Sequence, residues 1–295
     1  PLSYAQERLW FLDQLIPGSP MYVLPIAVRL NGDLDLAALE RVLAEITRRH
    51  ESLRTTFEMR GHELVQVVGD ACATKLDVED LTKLSEAERQ SVVDLRINAE
   101  AAKPFDLGQG PLMRVQVLKT AEQEHVILLT MHHIISDGWS MSLLIEEVGT
   151  LYSAYVEGRP SPLPELELQY GDFAVWQRNW LSGSVLEQQL DYWRRQLGED
   201  LPVLDIATDH PRPARPHFYA AIHSFNVSKD LTLSLQNLSQ KEGVTTFMLV
   251  LAAWQTLLSR YSGQADICVG TPIANRNWAD IEKLIGFFVN THVLR

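Results

Sequence analysis

Apolar residues at Leu9, Leu12 and Leu15 recur at helical spacing after Ser3, and Pro17-Gly18 closes the run, which predicts a short amphipathic helix. Val23 to Leu30 reads as a strand and Asn31-Gly32-Asp33 as a turn. Asp35 then caps a helix from Leu36 to His50 with Leu36, Leu39, Leu43 and Ile46 on one face. Ser52 to Glu58 and Glu63 to Val68 read as extended, Ser85 to Lys103 as a helix stopped by Pro104-Phe105-Asp106, and Leu112 to Lys119 as a strand. The run from Glu124 to Met131 is almost wholly apolar, the pattern of a central strand buried on both faces. Helical periodicity resumes from Met141 to Glu157, after the polar Ser136-Asp137-Gly138.

Gly158 to Pro164 contains three prolines and follows a completed α/β unit, so the lobe boundary is expected there, with an N-terminal lobe of residues 1–163 and a C-terminal lobe of residues 164–295. Beyond it the pattern predicts helices around Phe173 to Trp180 and Leu186 to Leu197, an extended segment from Pro211 to Pro216, and a strand–helix–strand series from His223 to Arg295. Strands and helices mixed in both halves predict an α/β architecture of the α+β sandwich kind, in two lobes of comparable size. Phe247 to Leu258 is the most apolar stretch, but it carries Gln255 and Thr256 and falls short of the roughly 20 residues of a membrane span. It reads as a buried helix.

Composition narrows the classes. With 46% hydrophobic and 22% charged residues, the 295-residue chain is an ordinary globular one, able to bury a core without disulfides or a structural metal. Asp and Glu outnumber Lys and Arg by 38 to 26, a formal charge of -12 that argues against nucleic acid as a partner. The two cysteines, Cys72 and Cys268, are too few for a disulfide framework or a four-cysteine metal site and suit a reducing cytoplasm. The opening Pro1-Leu2-Ser3-Tyr4 has no basic and apolar leader pattern, so the expected location is cytoplasmic, away from a membrane.

The segment that carries chemistry is Met131-His132-His133-Ile134-Ile135-Ser136-Asp137-Gly138-Trp139-Ser140, between an apolar strand and a helix. On extended backbone His132 and His133 face opposite ways and cannot clamp one ion together; one faces a cavity while the other packs. A neutral imidazole is the usual base for acyl transfer, yet an isolated His also reads as a hydrogen-bonded core residue and Asp137-Gly138 as a turn. Asp137 can alternatively fix the loop through an arginine, and Gly138 permits a close backbone approach or a positive φ. Zinc is the weaker alternative, since no His, Cys or carboxylate cluster has ligand spacing, and no metal is expected.

His132-His133-Ile134-Ile135-Ser136-Asp137-Gly138 resembles the HHxxxDG signature of condensation domains of nonribosomal peptide synthetases, shared in shorter form with chloramphenicol acetyltransferase. Four further stretches are similar to family motifs in the family's order: Ser3 to Leu12, Arg49 to Phe57, Tyr170 to Trp176 and Ile285 to Thr291. The resemblance implies two chloramphenicol acetyltransferase-like lobes in a V-shaped pseudo-dimer. The second lobe is expected to be incomplete, because the family continues past Arg295. His133 is implied as the catalytic residue, His132 as its support and Asp137 as one member of a buried ion pair with an arginine, with Arg276 preferred to Arg54. Trp10, Phe57, Trp176 and Phe288 are expected to be core.

The implied reaction joins a donor aminoacyl or peptidyl thioester to the amine of an acceptor aminoacyl thioester. Partners would be an upstream donor and a downstream acceptor peptidyl carrier protein, each bringing a phosphopantetheine arm, and an adjacent adenylation domain. The domain itself would hold no cofactor and would be monomeric. The competing readings are an epimerisation domain, an acyltransferase using soluble coenzyme A, and a catalytically silent carrier-docking module; Trp139-Ser140 and the opening motif favour condensation.

Overall fold

A computed structural model describes residues 1–71, 75–211 and 222–295. Cys72 and most of the expected Pro211 to Pro216 segment lie outside the described residues.

The chain begins with α1 (Tyr4–Leu15), started by a capping box in which the Ser3 hydroxyl accepts the Gln6 N–H and the Gln6 side chain accepts the Ser3 N–H. After β1 (Val23–Asn31), Asp35 caps α2 (Leu36–Arg49), and the stripe Leu39, Val42, Leu43 and Ile46 is buried. The extended reading of Ser52 to Glu58 needs correcting. Residues Glu51–Arg54 form a 3-10 turn, and β2 (Thr55–Arg60) starts only after it, pairing with β3 (Glu63–Val68) across a tight turn with Gly61 at φ 64°. Next come β4 (Asp77–Asp80), α3 (Glu86–Ala102) with its Ser85–Glu88 capping box, β5 (Met113–Ala121), β6 (Glu124–His132) and α4 (Gly138–Val156).

Four strands form one sheet in the order β1-β6-β5-β4, antiparallel except for the β4–β5 pair. Strand β6 lies inside it. Val126 and Leu128 pack with Leu81, Val93 and Leu118, while Ile127 lies against the cluster of Leu39, Leu43 and Val117, so both faces are covered as the apolar run requires. A third cluster, from Leu9 and Ile46 through Ile134, Ile135 and Leu144 to Ile285 and Phe287, surrounds the end of β6.

The second half contains α5 (Tyr170–Trp180), α6 (Gly183–Leu197), α7 (Lys229–Lys241), α8 (Thr246–Ser262), β7 (Val269–Ile273), α9 (Ala279–Glu282) and β8 (Asn290–Leu294). Residues 222–228 join no ladder, so the strand expected at His223 is not formed. Helix α8 is present but not buried as expected: Phe247 is 56% and Trp254 50% exposed, and Leu258 is its one buried residue. Its own unit supplies, among the described residues, only the two-stranded β7–β8 sheet and helices to cover it.

The chain forms two unequal compact units, Pro1–Gly183 with Ala274–Asn290, and Ser184–Ile273 with Thr291–Arg295. The first extends past the expected boundary at residues 163 and 164 because the following stretch packs onto it. The Pro164 carbonyl accepts from Arg49 at 2.6 Å, Glu165 pairs with Arg48 at 2.6 Å, and Arg178 donates to the Leu2 carbonyl at 2.8 Å.

Candidate active site

Strand β6 ends at His132, and the chain turns through a short 3-10 helix, His133–Ile135, before α4. The two adjacent histidines have different surroundings. His132 is 3% exposed, with its ring near Tyr22 and Phe105, and its Nδ1 accepts the Ile134 N–H at 3.0 Å. Burial, reinforced by neighbouring His133, pulls its pKa down from 6.5 to about 4, so it stays neutral near pH 7 with its proton on Nε2.

His133 is partly buried. Its backbone N–H donates to the Tyr22 carbonyl at 2.8 Å, and its Nδ1 lies 2.7 Å from the Ser136 carbonyl. A carbonyl only accepts, so Nδ1 carries a hydrogen, which in the neutral form of the ring leaves the lone pair on Nε2. No hydrogen bond between described residues occupies that nitrogen. The Phe287 ring packs on the imidazole at a centroid distance of 4.9 Å.

Asp137 has no exposed surface and caps α4. Its Oδ1 accepts from the Ser140 N–H and hydroxyl, both at 2.8 Å, and from Arg276 at 3.2 Å; its Oδ2 accepts the Phe288 N–H at 3.0 Å. Arg276, 9% exposed, also donates to Ser140 Oγ at 2.8 Å and to the carbonyls of Ile281 and Leu284 at 2.6 and 2.7 Å, with its guanidinium 3.9 Å from the Phe288 ring centroid. Burial lowers the arginine's pKa below its ordinary value, against the pull of Asp137. Arg54 goes elsewhere, to Glu51 at 3.5 Å and the Gly69 carbonyl.

Neither reason expected for Gly138 operates. Its φ is not positive, and a Cβ there would meet no atom within 4 Å; it is simply the first residue of α4. Trp139 is 44% exposed, and its indole donates to the Glu282 carbonyl at 2.9 Å.

Residues 284–288 have no helix or strand partner, so other parts of the first unit must satisfy their backbone. The Ile285 N–H donates to His50 Nδ1 at 3.4 Å and the Ile285 carbonyl accepts from Ser52 at 2.7 Å. The Gly286 N–H reaches Ser140 Oγ at 3.0 Å, and the Phe287 carbonyl accepts from the fully buried Tyr170 hydroxyl at 2.5 Å. A Cβ on Gly286 would sit 2.0 Å from Tyr170 Cδ2, so only glycine fits.

His50 is in turn 2.8 Å from Glu147, which Arg49 also meets at 3.2 Å. Burial alone would raise the Glu147 pKa, but hydrogen bonds and charge from His50 and Arg49 outweigh it and hold the carboxylate below its usual range.

Sequence reasoning quoted His50, Ser140, Tyr170, Gly286 and Phe287 inside motifs without giving them these contacts. Glu147 was missed, although a carboxylate on the same helical stripe as Leu144 and Leu151 is a signal that could have found it. Among the described residues no group of three or more His, Cys, Asp or Glu side chains is placed to hold a metal, and no helix is long and apolar enough to cross a membrane.

Comparisons with known proteins give the family and the fold. The chain is 51% identical over its whole length to linear gramicidin synthase subunits C and B of Brevibacillus parabrevis, yet spans only 4% and 6% of those proteins. It is 40% identical to the phosphinothricin tripeptide synthetase PhsC of Streptomyces viridochromogenes, covering 27% of it. Among solved structures, the X-domain from teicoplanin biosynthesis superposes with a TM-score of 0.88 at 29% identity, over 99% of this chain and 64% of that one. The first condensation domain of the calcium-dependent antibiotic synthetase, in complex with a substrate analogue, gives 0.82 at 20% identity over 100% and 67%, a likeness of fold. Since the family model described as the condensation domain also matches residues 1–295 from end to end, the chain belongs to the condensation-domain family of nonribosomal peptide synthetases.

Proposed function

We propose that this domain forms an amide bond between two carrier-bound substrates. The acceptor amine adds to the carbonyl of the donor thioester, a C–N bond forms, the C–S bond breaks, and the lengthened chain remains on the acceptor carrier. The observation that carries this reading is the 2.7 Å contact of His133 Nδ1 with the Ser136 carbonyl, which assigns the ring hydrogen to Nδ1. With Nδ1–H held by Ser136, Nε2 is available to accept a proton or hydrogen bond from the attacking amine and to return a proton to the leaving thiolate. Asp137 and Arg276 do not touch the reacting groups; they hold the loop and the start of α4 so that the imidazole is presented in one orientation.

The donor and acceptor arrive on phosphopantetheine arms of upstream and downstream peptidyl carrier proteins, which makes those arms substrate rather than a resident group of this domain. Tethering both reactants replaces a bimolecular encounter, so positioning supplies much of the acceleration. The much longer relatives, and the 0.84 TM-score with a holo four-domain nonribosomal peptide synthetase of which this chain covers 22%, support carrier and adenylation domains as neighbours. A cytoplasmic setting completes the proposal.

Mass spectrometry of two loaded carrier proteins incubated with the chain tests it. Dipeptidyl carrier is expected from the parent and at least about a hundredfold less from His133→Ala; equal product from both would remove His133 from the reaction. The teicoplanin X-domain is also solved in complex with OxyB, which supports a second reading as a recruitment module. Under that reading neither protein makes product.

A further inference from the structure

The imidazole of His133 has two fixed neighbours, the Ser136 carbonyl on Nδ1 and the ring of Phe287 at 4.9 Å and 66°. Phe287 is 4% exposed, so it does not offer its ring to substrate. Its backbone segment is held by side chains of the first unit. The Ile285 N–H and carbonyl, the Gly286 N–H, the Phe287 carbonyl and the Phe288 N–H are taken by His50, Ser52, Ser140, Tyr170 and Asp137 in turn. Two of these, Ser140 and Asp137, belong to the loop and helix start that present His133. One set of contacts therefore fixes both partners of the ring pair relative to each other.

That arrangement has a chemical consequence for the imidazole. A half-turn about χ2 exchanges Nδ1 with Cδ2 opposite the Ser136 carbonyl, removes the hydrogen bond, and frees the proton to sit on either nitrogen. With the Phe287 ring centroid 4.9 Å from that of the imidazole, the turning ring has to move past it. Resting on the proposed condensation reaction, we propose that Phe287 is a positioning residue that locks His133 in the Nδ1–H tautomer and so keeps Nε2 ready for the acceptor amine. Its contribution is made through His133, without touching substrate.

Two variants of the full chain test this, Phe287→Leu and Phe287→Met, the second keeping most of the side-chain volume while removing the ring. Nitrogen-15 NMR of the histidine side chains in mildly alkaline buffer reads the tautomer directly, with the His133 signal assigned by its loss in His133→Gln. The parent is expected to show Nδ1–H alone at His133 and both variants a mixture of tautomers. With loaded carriers, kcat is expected to fall at least about tenfold, part of the roughly 10²–10⁴-fold that a positioned base contributes, while KM for the acceptor carrier is unchanged.

If Phe287→Leu unfolds below the assay temperature, Phe287→Met carries both measurements. A single Nδ1–H tautomer in the variants, or unchanged kcat, overturns the proposal. A parent that makes no dipeptide refutes the reaction instead, and the tautomer still decides whether Phe287 sets the imidazole.

Discussion

A carboxylate with no exposed surface, as Asp137 is, persists only while its lone pairs are taken, and Ser140, Phe288 and Arg276 take them. Arg276→Met removes the charge that balances it and should cost about 3–5 kcal/mol in urea unfolding, the usual result of stranding one member of a buried pair. A loss under about 1 kcal/mol would show that the neutral donors alone suffice. His133 is in the opposite situation, partly buried with one nitrogen unclaimed among the described residues, so its removal should cost product rather than fold.

His132 provides a pH test. A folded pKa near 4 against an ordinary 6.5 means that the unfolded chain binds the proton more tightly, so its contribution is complete above pH 6.5, is lost as pH falls towards 4, and amounts to roughly 3 kcal/mol. His132→Asn keeps an acceptor for the Ile134 N–H and has nothing to protonate. The melting temperature of the parent should drop between pH 7 and pH 4.5 by more than that of the variant; equal slopes would show that other groups govern acid lability. At this scale His133 and Asp137 were legible in the sequence because their types and spacing form one contiguous signature. The choice between Arg54 and Arg276 was not, since both sit in motif-like stretches and only the folded path brings Arg276 to Asp137.

Among the elements, Ser3 and Asp35 announced two helix starts correctly because caps are local chemistry. The start of α4 was placed too late, at Met141, because Asp137-Gly138 reads equally well as a turn; in the fold Asp137 is the cap. The exposure of α8 could not be read from its apolar sequence, which states what a helix would bury and not what lies beside it. A tighter dependence links α5 to the 284–288 segment. Gly286→Ala drives a methyl into the Tyr170 ring and should cost about 3 kcal/mol or more, with condensation lost at the same time. Combining it with Tyr170→Leu should recover part of that loss in a double-mutant cycle; strictly additive effects would mean the two residues do not share the space.

At the scale of the whole chain, the mixture of strands and helices was readable from periodicity alone, but the division into units was not. Proline-rich Gly158 to Pro164 looked like a linker, yet Arg48, Arg49 and Leu2 hold the stretch that follows, and Ala274–Asn290 returns to the first unit from far along the sequence. That return sets a timetable for synthesis. A ribosome adding roughly 5–20 residues per second needs on the order of ten seconds to pass from Gly183 to Phe288. Until then the nascent first unit carries Asp137 without its guanidinium and His133 without Phe287. A chain ending at Gly183 should therefore be cut by protease around residues 132–141 faster than the full chain. Equal rates would show that the loop sets by itself. Synthesis thus passes through a stage in which the loop around His133 exists and the segment that packs on it does not, so translation speed across residues 184–288 sets how long that loop stays open to protease.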